Sequence, residues 1–199
     1  MQSALEKIKS IPGSYILEHE LSSSSISSIY LGVLNDVKVV IRVDLSPASR
    51  LAVDRQHEVN LLKDISYLDL APKVLYSDAA AGILIWEYIS GEQPLFTDNQ
   101  FNTNALYDLG SCLYSLHSHP IHKNSIDIFS NSMVLYQSLL DGSSEKLLFN
   151  KALNLYNKLL QDGANKVLSH NDLHRANLIW NQKYYFLDWE YSGVNHPCF

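Results

Sequence analysis

The sequence predicts an α+β chain: a small β-rich first half with one helix, then a mostly helical second half that carries a polar hairpin. Three observations predict this. Apolar residues alternate through Ile29, Leu31, Val33 and again through Val37, Val39, Ile41, Val43. Leucines recur at three- and four-residue spacing through Leu106, Leu109, Leu113 and Leu116. Near the end, VLSHNDLHRANLIWNQKYYFLDWEYSG sets Asp, Asn and His between short apolar runs that read as strands.

The elements follow in order. Residues 1–10 suit a short helix stopped near Pro12-Gly13. Tyr15 to Leu17 reads as a strand interrupted by the serine run SSSSISS at 22–28. A second strand ends at the turn pair Asn35-Asp36, and the third places Lys38, Val40 and Arg42 on the face opposite Val39, Ile41 and Val43. Pro47 is expected to open a helix reaching Tyr67, with Leu51, Leu62 and Ile65 on one stripe and Glu58 among them. APKVLYSD and GILIWEYIS read as two more strands, and the turn-rich GEQPLFTDNQ at 91–100 marks a division into 1–90 and 91–199. Helices are then expected over 106–116, stopped before Pro120, over 131–140, and over 144–161 with Leu148, Ala152, Leu155 and Leu159 on a core face. The last element is the hairpin: a strand, a polar loop, Leu178 to Trp180, the turn Asn181-Gln182-Lys183, and Tyr184 to Leu187.

Composition excludes several classes. The formal net charge of -6 disfavours a general nucleic-acid binder, which needs a basic face. No apolar run approaches the roughly 20 residues of a membrane helix, and from the polar stretch MQSALEKIKS no signal peptide is expected. Two cysteines form no disulfide framework, so a cytoplasmic setting is expected. His117, His119 and His122 lie close together, yet no Cys or acidic residue stands at metal-ligand spacing, and surface histidines are expected there.

The hairpin carries the chemistry. His170, Asp172 and Asn177 are spaced H-x-D-x-x-x-x-N, and Asp188 ends the next strand. Phosphoryl transfer needs one carboxylate to orient an attacking hydroxyl and accept its proton. It also needs a carboxylate and an amide oxygen to hold Mg²⁺ on nucleotide phosphates. Asp172 fits the first role, Asn177 and Asp188 the second. The plain alternative is a polar loop of Asx turns, with His170 as a structural hydrogen bonder.

His170-Asn171-Asp172-Leu173-His174, Asn177 and Leu187-Asp188-Trp189-Glu190-Tyr191 resemble the aminoglycoside phosphotransferase and choline kinase family, small-molecule kinases related to protein kinases. The resemblance implies a two-lobed, protein-kinase-like fold, ATP and Mg²⁺ as cofactors, and a small-molecule hydroxyl acceptor. By the same resemblance Arg42 grips phosphates, Glu58 pairs with it, and the hinge near Trp86 to Ile89, with Glu87 and Tyr88, meets the adenine. His174, Glu190 and Tyr191 are implied to lie near the acceptor, and Trp189 either there or in the core. Asn171 and Trp189-Glu190 look like the choline, ethanolamine or thiamine kinase branch, with sugar and antibiotic kinases as alternatives. Two departures stand out: the serine loop has no glycine, and Phe199 follows closely on Asp188, so a shortened C-lobe is expected. A nucleotide-binding pseudokinase and an inert fragment are the readings from other classes.

Overall fold

A computed structural model describes residues 4–45, 53–94, 103–122, 127–161 and 163–198. It carries a five-stranded antiparallel sheet, then helices, then two two-stranded ribbons.

Helix α1 (Ala4–Ile8) ends two residues before the expected position 10. Strand β1 (Tyr15–Ser23) is longer than expected, because the serine run does not break it. Ser22 and Ser23 pair with Ile29 and Ser28 of β2 (Ser27–Leu34), and only residues 24–26 form the turn. The Ser24 hydroxyl accepts from the Ile26 and Ser27 amides, both at 3.1 Å, and the Ser24 amide donates to the Ser27 carbonyl at 2.9 Å, which together close that turn. Asn35 and Asp36, both at positive φ, join β2 to β3 (Val37–Asp44), as a tight antiparallel turn requires. Strands β4 (Val74–Asp78) and β5 (Ile83–Glu87) complete the sheet in the order β1-β2-β3-β5-β4.

The predicted alternation of β3 divides two cores. Val39, Ile41 and Val43 join Ile83, Ile85 and Ile8 under α1. On the other face, Leu84 packs with Val59 and Leu62 of α2 (Arg55–Asp64). That helix starts at Arg55 rather than Pro47. Asp54 is extended and its carboxylate accepts from the His57 amide, so an N-cap sets the boundary. Pro47 and Leu51 lie outside the described residues, as does the end of the turn-rich stretch from 95 onward. A 3₁₀ turn, Ile65–Leu68, carries the chain to the expected end near Tyr67.

Helices α3 (Thr103–His117), α4 (Ile128–Leu139) and α5 (Lys146–Leu159) follow. Leu116 is fully buried. The leucine stripe expected to be core on α5 is not: Leu148 is 71% exposed and Leu155 67%, while Tyr156 is the buried residue. Periodicity identifies an apolar face but not what covers it. Tyr107 and Tyr114 on α3 are also exposed. No helix among the described residues is long and apolar enough to cross a membrane.

The terminal hairpin is two ribbons. Strand β7 (Leu178–Trp180) pairs with β8 (Tyr184–Phe186), whereas β6 (Val167–Ser169) pairs with β9 (Gly193–Asn195). The β6–β9 ribbon thus ties the loop after β6 to the segment after β8. The chain passes from the sheet to this region at Glu92, which exchanges two backbone bonds with Trp180. Gly91 is required there, since a Cβ would sit 2.5 Å from the Trp180 carbonyl.

Candidate active site

The loop after β6 is shaped by local bonds. Asn171 takes a left-handed φ of 64°, donates from Nδ2 to the Tyr191 carbonyl at 2.7 Å, and accepts from Asn195. Ser192 donates to the His170 carbonyl. The loop is therefore braced by the segment that follows Asp188. Asn177 Nδ2 donates to the Asp172 carbonyl at 3.0 Å and to its carboxylate at 3.2 Å, and the Asn177 carbonyl accepts from the Leu187 amide. These bonds tie Asp172 and Asn177 to the strand end that presents Asp188. Asp188 itself is left-handed, with φ 62° and ψ 63°.

His170 is buried and acts as a strut. Its Nε2 donates to the Leu187 carbonyl at 2.9 Å, and its ring packs against Phe186 and Trp189. Burial pushes its pKa down to about 4. The sign follows from linkage. An unfolded histidine protonates near pH 6.5 and the folded one only near 4, so stability falls as pH drops through that window. The histidine contributes about 3 kcal/mol to that fall. A His170→Gln variant is expected to flatten the pH dependence of urea unfolding between pH 7 and 4; an unchanged slope would remove His170 as its source.

Arg42 and Glu58 meet as a buried pair, Nη1 to Oε1 at 2.9 Å and Nη2 to Oε2 at 2.5 Å. Arg42 Nη1 also lies 3.8 Å from Asp188 Oδ1. Burial alone would raise the Glu58 pKa, but the Arg42 and Arg55 charges outweigh it and hold it low. Asp188 moves the other way, up to about 6, through burial and then the Glu190 charge. Such a carboxylate is poised for a cation that offsets its desolvation.

Arg42, Glu58, Asn177 and Asp188 border one cavity of about 200 Å³ between sheet and ribbons. Ile29, Val74, Leu84 and Trp86 form its apolar side; Arg42, Asn177 and Asp188 form its polar end. An apolar slot opening on a cation and two oxygen donors fits a purine with its phosphates and a hard divalent ion. With Asn177 Nδ2 given to Asp172, its Oδ1 remains as the oxygen donor a hard cation takes.

Other expected residues fall around this centre. His174 caps a 3₁₀ turn by accepting from the Ala176 amide, and its Nε2 lies 3.7 Å from Asp172. The Glu87 and Tyr88 amides bond to the Lys73 and Lys38 carbonyls, so neither offers its N–H to an adenine. The Glu87 carboxylate accepts from the Lys73 amide. Trp189 is core, donating to the Phe186 carbonyl. Tyr191 is half-buried, its pKa raised by burial and the Glu190 charge.

Glu190 bonds to Arg55 at 2.7 Å. Arg55 is the residue that sequence reasoning missed. It reaches Asp44 through Nε and Nη2 and Glu58 through Nη1, so one guanidinium links β3, α2 and the segment after Asp188. His57 adds a contact to the Ser192 carbonyl. Only the Arg55–Glu58 spacing of three within a helix was visible in the sequence.

The chain is 27% identical over 146 residues to the "Protein LicA homolog" of Mycoplasma capricolum, covering 72% of this chain and 57% of that protein. The crystal structure of choline kinase LicA from Streptococcus pneumoniae superposes with a TM-score of 0.71 at 24% identity, covering 96% of this chain and 69% of that one. A LicA structure in complex with AMP gives 0.70 at 20% identity, over 98% and 69%. The chain spans less than two thirds of the length of the curated relatives it matches. These structures share its fold, a β-rich N-lobe and a helical C-lobe of protein-kinase-like type. A family model described as the phosphotransferase enzyme family matches residues 21–199, nearly the whole chain including both cavity walls, and the chain belongs to that family.

Proposed function

We propose that this chain carries the nucleotide site and catalytic loop of an ATP-dependent small-molecule kinase. It would act on a small amino or cationic alcohol of choline, ethanolamine or thiamine type. The observation that supports it most is the hydrogen-bonded Asp172–Asn177 unit beside a cavity that Asn177 shares with Asp188 and Arg42. In this reading the lobes divide at residues 90 and 91, and the setting is cytoplasmic.

Asp172 accepts the acceptor hydroxyl proton as the new P–O bond forms and the bond to the ADP oxygen breaks. Arg42, oriented by Glu58, donates its remaining N–H groups to phosphate oxygens. Asn177 and Asp188 supply oxygen ligands to Mg²⁺, which when bound offsets charge on the transferring group. The hinge contributes through Trp86 and backbone carbonyls. Glu190 acts on the acceptor only indirectly, because its carboxylate sits on Arg55; Tyr191 and His174 remain the candidates for direct contact. The LicA relatives, one named a choline kinase and one with bound AMP, support the acceptor class and the nucleotide.

The Ser24 turn favours a second reading. Its Ile26 and Ser27 amides donate to the Ser24 hydroxyl and its Ser24 amide to the Ser27 carbonyl, so they offer less to a phosphate than a glycine loop does, which suits nucleotide binding without turnover.

One experiment separates these readings. Mg·ATP at a hundredfold excess over Kd should stabilise the protein by about 2.7 kcal/mol, or roughly 5–10 °C in Tm, and Asp188→Asn should remove the Mg²⁺ dependence. Labelled phosphate should then move from ATP to choline, ethanolamine or thiamine. A thermal shift with no transfer to those or to sugar and aminoglycoside acceptors selects the non-catalytic reading; no shift at all ends both.

A further inference from the structure

A second cluster of ligand-forming side chains lies away from the nucleotide cavity. Asp64, the last residue of α2, meets His119 and His122, which follow α3. One ligand atom from each lies within 4.8 Å of the other two. His119 Nε2 is 3.0 Å from Asp64 Oδ2, and His122 Nε2 is 3.8 Å from the same oxygen. A tetrahedral ion with bonds near 2.1 Å sets its ligand atoms roughly 3.4 Å apart. The cluster needs only side-chain adjustment to match that.

His119 is buried and held at both ring nitrogens. The residue is 7% exposed, and its Nδ1 sits 2.8 Å from the Tyr67 hydroxyl. The imidazole is thus held at both ends: one nitrogen on a carboxylate, the other on a hydroxyl that can donate or accept. Metal-binding histidines are oriented by such a partner on the second nitrogen. Loading an ion on Nε2 moves the single ring proton to Nδ1, where it donates to the Tyr67 oxygen. No proton is left buried and unpaired, and the ring need not turn. His122 brings a second imidazole to the same oxygen, so two histidines and one carboxylate converge.

We propose that Asp64, His119 and His122 bind a divalent transition-metal ion of the Zn²⁺ class, with Tyr67 as the positioning residue. Two imidazoles and one carboxylate suit Zn²⁺, Co²⁺ or Ni²⁺, whereas Mg²⁺ and Ca²⁺ prefer an all-oxygen set. Three protein ligands leave a fourth position for water. The ion joins the end of α2 to the segment after α3. Because α2 carries Glu58, and Glu58 orients Arg42, the ion would brace the helix that shapes the nucleotide cavity.

The test uses the full chain, free of any histidine tag, with Co²⁺ as probe and excess Mg²⁺ to occupy oxygen sites. One equivalent of Co²⁺ should give the intense visible bands of a four-coordinate centre. Zn²⁺ should displace it and raise the Tm. His122→Ala changes an exposed side chain and should weaken Co²⁺ binding at least tenfold with an unchanged far-UV spectrum. Tyr67→Phe should weaken it 10- to 100-fold. Absence of uptake by the wild-type chain overturns the proposal. So does Co²⁺ binding that His122→Ala spares, or a signal that His174→Ala abolishes and His122→Ala does not, since that places the ion on Asp172.

Discussion

Asp172→Ala should lower phosphoryl transfer by a factor of 10² or more, up to about 10⁴, the range for loss of a positioned general base. The carboxylate that disappears is not a passive loop residue. Its Oδ2 accepts from Asn177 Nδ2 at 3.2 Å, which fixes its rotamer, and His174 stands 3.7 Å away on the same oxygen. Asp172→Asn is the sharper variant because it keeps the shape and removes the charge. The base strength that draws a proton from an alcohol is then gone, while the loop bond from Asn177 to the residue 172 backbone carbonyl persists. A hundredfold loss corresponds to about 2.7 kcal/mol of barrier. Because Asp172 is assigned no metal or nucleotide contact, Mg·ATP affinity should change little. The measurement is kcat with labelled ATP and an acceptor panel, beside nucleotide Kd. Turnover within a few-fold of the parent sinks Asp172 as the base; lost turnover with equally lost nucleotide binding points to a collapsed loop instead.

What could be read from the chain was what lies close along it. The 170–188 segment was legible because the groups proposed to accept the proton and hold the ion all lie within one short stretch. Strand alternation and helical spacing marked Arg42 and Glu58 only as oddly placed charges; the family resemblance supplied their pairing, and the structure joins them at 2.5 and 2.9 Å. Arg55 was not legible, since its partners Asp44 and Glu190 lie 11 and 135 residues away and no periodicity connects them. His119 was read as a surface residue for the same reason, since its partner Asp64 lies 55 residues upstream, whereas His122 is exposed as expected. The α2 boundary was misplaced because Asp54 caps where Pro47 had the better sequence signal. The α5 stripe shows a different limit, since an amphipathic pattern says which face seeks burial, not whether a neighbour supplies it. An apolar dye should bind that exposed α3 and α5 surface.

Glu58→Ala should destabilise the chain by roughly 3–5 kcal/mol, the range for removing one partner of a buried ion pair. Glu58 is 1% exposed and accepts from two guanidinium groups, Arg42 at 2.5 and 2.9 Å and Arg55 at 3.0 Å. Arg55 keeps Asp44 and Glu190 when Glu58 is gone, so its loss is partial. Arg42 does not fare as well. Buried and fully charged, its nearest remaining carboxylate is Asp188 at 3.8 Å, and the two are expected to close on each other. That contact would take Asp188 away from the divalent ion, so the variant should lose Mg·ATP affinity in addition to stability. A double variant separates the two effects. Arg42→Met with Glu58→Leu replaces the pair by apolar groups, which buried sites often accept at little cost, and should recover most of the lost stability without recovering nucleotide binding. Acid adds a control whose sign is fixed: Glu58 has a depressed pKa, so its contribution persists above the ordinary glutamate range and is lost only as pH falls through the folded value. Urea unfolding of the single and double variants, with Mg·ATP titration of each, measures both terms. A Glu58→Ala protein within about 1 kcal/mol of the parent would mean that water reaches Arg42, and that the pair neither supports the fold nor aims a cation at the phosphates.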